Sequence, residues 1–399
     1  MAIPAQVEQT YQPLTESAAI ELAYQLNLFK NDTVLESREI GDGNLNLVFH
    51  IVEKGKEKGV IIKQALPYAK VVGESWPLSL NRAVIEANAL KLHGKYAPGL
   101  VPEVYYTDDT LAVTVMEDLS HLTIARTGLI QGENYPLLSE HVGQYLARTL
   151  FYTSDYALDP GEKKELAKKF VNPDLCKITE DLVLTDPFFN HDTNDFEDGL
   201  QEEVHKLWGD FLLKLEVAKL KKTFLTEGEA LIHGDLHTGS IFASETETKV
   251  IDPEFAFYGP IGFDVGQVFA NLLFQVITRP DENRAPIINH IETVWAVFRE
   301  EFSRCWEQDG QDVFTKTEGY LDYVLEKIWK DSVGYAGCEL IRRTIGLSHV
   351  KDLDGIEDEK SRLTAKKNTI RLGRSLILNR EKISSIQAFK QEIAWFSQA

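Results

Sequence analysis

Two aspartates carry the strongest chemical signal in this sequence. Asp235 lies in residues 231–237 (LIHGDLH), and Asp252 follows the apolar residues of a strand-like segment at 249–251 (KVI). Phosphoryl transfer needs such a pair, because one carboxylate accepts the proton of the attacking hydroxyl while another holds the magnesium that neutralises the polyphosphate. The pattern predicts a kinase, with Asp235 as the catalytic base and Asp252 as a Mg²⁺ ligand.

Neighbouring residues extend this prediction. Glu254 is two positions after Asp252 and would point to the same side of an extended segment, so we predict a second metal ligand or water anchor. His233 is expected to fix the loop by hydrogen-bonding to backbone. A metallohydrolase cluster of His233, Asp235 and His237 is the alternative, but a dinuclear site needs further closely spaced ligands that this segment lacks.

Residues upstream could bind a nucleotide. Gly41 and Gly43 lie between two predicted strands, where backbone without Cβ can approach phosphate oxygens, although an ordinary hairpin turn explains them equally well. Lys63 lies inside the apolar run 60–65 (VIIKQA), and a half-buried lysine needs a partner, for which Glu86 on the next helix is suited. The alternative for Lys63 is an edge strand that faces water.

The predicted elements change character along the chain. The early part favours a small sheet with two helices, and the later part favours long helices. Strands are predicted at 34–41, 46–53, 60–65, 103–107 and 111–117, and helices at 15–29, 82–93, 136–156, 196–224, 263–277, 287–307, 319–349 and 362–380. This order predicts an α+β, bilobal protein, with an N-terminal lobe over 1–118 and a mainly helical C-terminal lobe over 119–399.

Bulk composition narrows the function classes. The 399 residues exceed the size at which one core usually keeps growing, and the formal charge of −20 disfavours nucleic acid or anionic membrane as a partner. Three separated cysteines fit a reducing compartment without a structural zinc site. The longest apolar runs, such as 268–277, are too short to span a bilayer, so we expect a cytoplasmic protein.

Taken together, these features resemble the protein-kinase-like fold of small-molecule kinases, the group that includes aminoglycoside and choline kinases. Within that group the chain is similar to the 5-methylthioribose kinases over nearly its whole length. The strings that carry this resemblance are 39–46 (EIGDGNLN), 70–77 (KVVGESWP), 115–119 (VMEDL), 233–240 (HGDLHTGS) and 337–344 (GCELIRRT).

This resemblance implies transfer of the ATP γ-phosphoryl group to the anomeric hydroxyl of 5-methylthioribose in methionine salvage, with Mg²⁺ and as a homodimer. It also implies roles for particular residues. Those implied to bind ATP or its metal are Gly41, Gly43, Asn44, Lys63, Glu86, the backbone of Glu117, Asp118 and Leu119 at the adenine, and Asp252, Pro253 and Glu254 at the metal and phosphates.

Arg342 and Arg343 look like the twin-arginine feature of that family, whose cations would face the sugar and the transferring phosphoryl group. An arginine against developing phosphoryl charge can be worth orders of magnitude in rate. The alternative is a surface ion pair, because Arg343 follows Glu339 by four positions on a predicted helix. Ser240 replaces the asparagine that holds a second magnesium in the broader group, so the two-metal arrangement is in doubt.

Two other functions, and two roles for Asp264, stay open. An aminoglycoside- or choline-type kinase would bind cationic substrates, which two arginines in the pocket would oppose. A nucleotide-sensing pseudokinase is disfavoured because Lys63, Glu86 and both aspartates are present. Asp264, which precedes a predicted apolar helix, could be a helix cap, or it could brace the loop that bears Asp235.

Overall fold

The computed structural model describes residues 10–30, 32–40, 45–56, 59–69 and 73–397. The chain divides into two compact units. Unit 1 contains Met1–Thr123 and the short segment Lys249–Phe255, and unit 2 contains Ile124–Thr248 and Ala256–Ala399. The first division lies close to the predicted one at 118, but the sequence did not predict that a segment bearing Asp252 would return to unit 1.

Unit 1 is built on an antiparallel five-stranded sheet with the order β1-β2-β3-β7-β6. Its elements are α1 (Glu16–Gln25), β1 (Leu35–Glu39), β2 (Asn46–Glu53), β3 (Gly59–Ala65), β4 (Tyr68–Ala69), β5 (Gly73–Pro77), α2 (Asn81–Tyr96), β6 (Val104–Asp108) and β7 (Val113–Glu117). All five predicted strands and both predicted helices are present; β2 has the predicted ends, and the others differ by a few residues at their ends.

The core of unit 1 lies on one face of this sheet. Phe49, Ile51, Ile62 and Val115 are almost completely buried and pack in one cluster with residues of α1. Because side chains alternate along a strand, Lys63 projects from the opposite face to Ile62. β3 pairs with β2 on one side and β7 on the other, so the edge-strand alternative for Lys63 is wrong.

Unit 2 is mainly helical, which confirms the predicted α+β class with a helical C-terminal part. Its helices are α3 (Ala125–Gln131), α4 (Leu138–Tyr152), α5 (Pro160–Lys168), α6 (Pro173–Leu182), α7 (Gln201–Trp208), α8 (Phe211–Thr226), α9 (Ile261–Thr278), α10 (Ala285–Asp309), α11 (Tyr320–Ile345), α12 (Lys351–Asp354), α13 (Glu359–Asn379) and α14 (Ile386–Ser397). The short strands of the later chain are β8 (Thr123–Ile124), β9 (Ala230–Ile232), β10 (Ile241–Ala243), β11 (Thr248–Val250) and β12 (Phe257–Gly259).

The single helix predicted over 196–224 was wrong. The segment forms α7 and α8, because Asp210 caps α8 by accepting a hydrogen bond from the backbone N–H of Leu213 at 3.0 Å. Helical periodicity continues across the break, so the apolar pattern alone did not reveal it. The short helices α3, α5, α6, α12 and α14 were also missed.

Helix α9 is the central helix of unit 2. It is the one described helix with the length and hydropathy of a membrane span, but 94% of that window is buried inside the protein, as in a core helix. It packs closely against α11, since a Cβ at Gly266 would lie 2.6 Å from the carbonyl oxygen of Ser332. Four polar residues interrupt its apolar surface at helical spacing, namely Asp264, Gln267, Asn271 and Gln275.

Candidate active site

In unit 1, Lys63 is held between two carboxylates. Its Nζ lies 2.8 Å from Oε1 of Glu86 and also donates to Oδ1 of Asp252. Burial alone would lower the pKa of Lys63, but the charges of Asp252 and Glu86 outweigh it and raise this pKa above its usual value. Lys63 is therefore a fixed cation, and the predicted pairing with Glu86 is present.

Asp252 has an unusual backbone conformation for a residue other than glycine. Its φ is 68°, in the left-handed region, which aspartate tolerates better than most residues but still at a free-energy cost. Its side chain is 39% exposed, whereas that of Glu86 is almost completely buried. Backbone strain of this kind is concentrated at functional sites, and it directs a partly accessible carboxylate towards Lys63.

Glu254 lies in a buried polar network. Nη1 of Arg82 on α2 lies 2.6 Å from its Oε2 and donates to Oδ1 of Asn46 at 2.7 Å. Nη2 of the same guanidinium donates to the carbonyl oxygen of Leu66 at 2.8 Å. The three side chains are all at least nine-tenths buried, so Glu254 is oriented by a rigid network.

The acidic groups of unit 1 have the composition of a divalent cation site. Ligand oxygens of Glu86, Asp252 and Glu254 all lie within 4.8 Å of one another. Burial raises the pKa of Glu86 to about 7, and the neighbouring carboxylates add to this effect while Lys63 opposes it. Three close carboxylates with hard oxygen donors fit Mg²⁺, for which Asp252 and Glu254 are the predicted ligands.

The end of β7 is the predicted adenine segment. The carboxylate of Asp118 is buried and accepts hydrogen bonds from the backbone N–H groups of Gly59 and Ser120 at 2.8 and 2.9 Å, and His50 Nε2 lies 2.9 Å away. Burial would raise the pKa of Asp118, but these bonds hold it below its usual value. The side chain of Asp118 thus braces the segment at the end of β7.

The flanking residues of this segment differ in their contacts. The Glu117 carboxylate pairs with Lys249 at 3.1 Å, on the segment that returns to unit 1. The carbonyl oxygen of Leu119 accepts from the N–H of Leu122 at 2.9 Å, whereas the N–H of Leu119 donates to no acceptor within the described part of the chain. Gly41, Gly43 and Asn44, also predicted for ATP, lie outside the described residues.

In unit 2, the side chain of Asp264 holds the loop after β9 through backbone hydrogen bonds. Gly234 has a φ of 83°, a conformation that favours glycine, and the backbone N–H groups of His233 and Gly234 donate to the Asp264 carboxylate at 2.6 and 3.0 Å. Asp264 lies in the first turn of α9, whose N-cap is Pro260. The bracing role predicted for Asp264 is confirmed, and the simple capping alternative is wrong.

Asp235 is placed beside both arginines of α11. Its Oδ1 lies 3.3 Å from Nη2 of Arg342 and 3.5 Å from Nη2 of Arg343. The Asp235 side chain is 26% exposed, while the two guanidiniums are mostly buried. The arrangement therefore presents one carboxylate and two cations at one accessible point of unit 2.

Glu339 explains why the two guanidiniums are fixed. Its Oε2 lies 2.6 Å from Nε of Arg342 and its Oε1 lies 2.8 Å from Nε of Arg343, and its side chain is fully buried. Burial would raise the pKa of Glu339, but the two arginines hold it below its usual value. The surface ion-pair alternative is wrong, because all three side chains are buried.

His237 and Ser240 lie beside the same carboxylate. His237 Nε2 is 3.5 Å from Oδ2 of Asp235, and Ser240 Oγ is 3.2 Å from His237 Nδ1. Burial, together with the nearby arginines, lowers the pKa of His237 well below its usual value. Among the described residues, the one group of clustered metal-ligand side chains is in unit 1, so the metallohydrolase alternative finds no support in this loop.

No sequence pattern indicated three residues that support the carboxylate cluster of unit 1 or the arginine cluster of unit 2: Asn46, Arg82 and Arg126. Arg82 is nearly fully buried at the first turn of α2, and an arginine within a predicted amphipathic helix gives little sign of burial. Arg126, on α3, pairs with Asp352 at 3.2 Å in unit 2. Glu86, one turn after Arg82, was found only because the strand lysine required a partner.

Comparisons with known proteins agree with this chemistry. Residues 36–285 match the phosphotransferase enzyme family. The methylthioribose kinase of Geobacillus sp. (strain WCH70) is 61% identical over 392 residues, which is 98% of each chain. That of Bacillus pumilus (strain SAFR-032) is 53% identical over 391 residues, again 98% of each chain. A spectinomycin phosphotransferase solved with ADP and spectinomycin is 12% identical, with a TM-score of 0.47 over 93% of this chain and all of that one.

The fold, the clustered carboxylates and the family match define a phosphotransferase, and the chain is a kinase. More narrowly, the chain belongs to the methylthioribose kinase family, as its identity to those relatives along nearly the full length shows. The resemblance inferred from five short strings is thereby confirmed.

Proposed function

We propose that this kinase transfers the γ-phosphoryl group of ATP to the anomeric hydroxyl of 5-methylthioribose and forms 5-methylthioribose 1-phosphate in methionine salvage. The observation that carries the proposal is the contact of the Asp235 carboxylate with Arg342 and Arg343. The carboxylate supplies a base for an alcohol, and the cations suit a group that carries phosphoryl charge. The named relatives support this choice of substrate.

In unit 2, Asp235 accepts the proton of the attacking hydroxyl. A positioned general base typically contributes roughly a hundred- to ten-thousandfold in rate. Arg342 and Arg343 stabilise charge on the transferring group, and Glu339 keeps their guanidinium planes in place through its two oxygens.

In unit 1, Lys63 holds phosphate oxygens of ATP, and Glu86 keeps Lys63 oriented. Asp252 and Glu254 would hold Mg²⁺, which neutralises polyphosphate charge when bound. The backbone from Glu117 to Leu119 takes the adenine edge, since the N–H of Leu119 is available to donate. Gly41, Gly43, Asn44 and Pro253 complete the ATP site in this proposal.

A cationic acceptor is the main competing proposal. Aminoglycosides and choline carry positive charge, and a pocket for them needs an excess of acid. Arg342 and Arg343 are fixed by a buried carboxylate and cannot turn away without breaking that pair. A neutral sugar, which becomes an anionic phosphate ester, fits a site with two fixed guanidiniums better than a cationic acceptor does.

A coupled ATPase assay with 5-methylthioribose, ribose, choline and an aminoglycoside tests the proposal. We expect rapid turnover with 5-methylthioribose, weak turnover with ribose and none with the two cations. Phosphorus NMR of the product should show a sugar 1-phosphate. Asp235→Asn is the matched control, because it keeps side-chain size; turnover of choline by the wild type, abolished in this variant, would overturn the substrate.

The assembly and setting are part of the same proposal. We propose a cytoplasmic homodimer with no nucleic-acid or membrane partner, in line with the formal charge of −20, which repels both polyanions. Light scattering coupled to size exclusion should give a mass twice the 45.1 kDa of one chain. A monomer mass at micromolar concentration would contradict the dimer.

A further inference from the structure

The four polar residues of α9, here called the polar stripe, connect the loop after β9 (residues 233–240, here called the catalytic loop) to a third arginine, Arg126. The first member of the stripe, Asp264, accepts from the loop backbone, as described above. Its third member, Asn271, accepts from Nη2 of Arg126 at 2.6 Å, and its fourth member, Gln275, donates to Oδ1 of Asp352 at 2.6 Å. Within a helix that is otherwise buried and apolar, these contacts place Arg126 from two sides.

Arg126 is held by part of its guanidinium only. Nη2 contacts Asn271, and Nε lies 3.2 Å from Oδ2 of Asp352. The remaining nitrogen, Nη1, makes no hydrogen bond within the described residues. The Arg126 side chain is 16% exposed, and among the described residues its guanidinium makes one hydrogen bond, through Nη2, and one ion pair without hydrogen-bond geometry, through Nε.

Nη1 of Arg126 lies against the catalytic loop. A Cβ at Gly239 would be 3.1 Å from Nη1 and 2.9 Å from the ring of His237, so both side chains occupy the space beside this glycine. His237 in turn lies 3.5 Å from Asp235. Burial first, and then the charges of Arg126, Arg343 and Arg342, lower the pKa of His237, while Glu339 opposes them.

We propose that Arg126 is a third cation of the acceptor site, and that its Nη1 binds the phosphate group of the sugar phosphate product. The inference rests on the proposed function and adds a residue to it. Arg342 and Arg343 already share Asp235 and Glu339, whereas Nη1 of Arg126 has no carboxylate of its own facing the loop. An N–H of a charged guanidinium forms a stronger hydrogen bond with a phosphate oxygen than with the oxygen of a neutral hydroxyl.

Product inhibition measures this contact directly. The variants to compare with wild type are Arg126→Gln, Arg126→Lys and the double variant Arg126→Gln/Asp352→Asn, which removes both charges of the buried pair together. We expect the inhibition constant of 5-methylthioribose 1-phosphate to rise by roughly 10- to 100-fold in the single glutamine and double variants, and less in the lysine variant. The KM for ATP should stay unchanged.

Arg279→Gln is the matched control. Arg279 binds Gln275 at the end of the same stripe through Nε at 3.3 Å, and it should lower the melting temperature without changing product inhibition. If the double variant is inhibited like wild type, or if kcat falls with an unchanged inhibition constant, Arg126 only positions the loop and the proposal is overturned.

Inorganic phosphate separates this inference from the substrate assignment. With saturating ADP present, phosphate should raise the melting temperature of wild type and Arg279→Gln but not of the double variant. Absence of 5-methylthioribose turnover by wild type would overturn the proposed function, whereas this phosphate effect would still support the anion contact. Equal stabilisation of all variants by phosphate would overturn the anion contact.

Discussion

The two units carry clusters of opposite character. In unit 1, Glu86, Asp252 and Glu254 face two cations, Lys63 and Arg82, so acid is in excess. In unit 2, Arg342, Arg343 and Arg126 meet the same number of carboxylates, of which Glu339 and Asp352 lie behind the arginines. The first cluster is therefore acidic, whereas the charges of the second are balanced, which is the contrast on which the proposed roles depend.

Both clusters rely on the same device, a buried carboxylate that orients a cation. Glu86 does this for Lys63, and Glu339 does it for Arg342 and Arg343. Removal of one member of a buried pair typically costs about 3–5 kcal/mol, because the other charge is left in a medium of low polarity. The comparison teaches that buried acids fix the cations of both clusters, while Asp252 and Asp235 are the partly exposed carboxylates beside those cations.

The largest expected effect comes from Arg342→Ala/Arg343→Ala. Loss of both cations should lower kcat by roughly a thousandfold or more, because charge on the transferring phosphoryl group is no longer stabilised. Steady-state kinetics and thermal unfolding measure the two consequences separately. Glu339→Gln is the matched variant, since it keeps both cations but loosens them. If the double variant changes only the melting temperature, the basic cluster has no catalytic role.

The second-largest effect is expected for Asp235→Asn, which should reduce kcat roughly a hundred- to ten-thousandfold. The amide keeps the size of the side chain but cannot take the hydroxyl proton. Nucleotide affinity, measured by titration of ATP with magnesium, should stay near wild type, because Asp235 belongs to the acceptor half. Near-normal turnover would remove Asp235 from the role of base.

Asp252→Ala tests the acidic cluster, and we expect Mg·ATP binding to weaken by roughly tenfold or more. The KM for the sugar should change little. Affinity measured over a range of magnesium concentrations distinguishes metal loss from general damage. Unchanged nucleotide affinity at saturating magnesium would contradict the metal role and erase the contrast between the two clusters.

The smallest effect is expected for Asp118→Asn. The amide can keep one or two of the contacts with Gly59, Ser120 and His50, but the charged acceptor is lost. We expect the KM for ATP to rise a few-fold, about 1 kcal/mol, with kcat nearly unchanged. A selective fall in kcat with normal ATP affinity would show that this segment does more than position the adenine.

The sequence predicted the reactive groups better than their supports. The pairing of Lys63 with Glu86 followed from residue types at recognisable positions, and the twin arginines followed from the family resemblance. Glu254 was predicted as a metal ligand, and no sign pointed to its contact with Arg82, which lies 172 positions away. Arg126 and Asn271, which are 145 positions apart, likewise have no local pattern in common.

By itself, the sequence determined the family, the chemistry and the alternation that puts Lys63 opposite Ile62, because each of these depends on residue types at short spacing. The tertiary structure alone decided that Glu339 is buried, that residues 249–255 join unit 1, and that Arg126 reaches the catalytic loop. Burial and long-range pairing depend on how distant segments pack, and local periodicity does not record this.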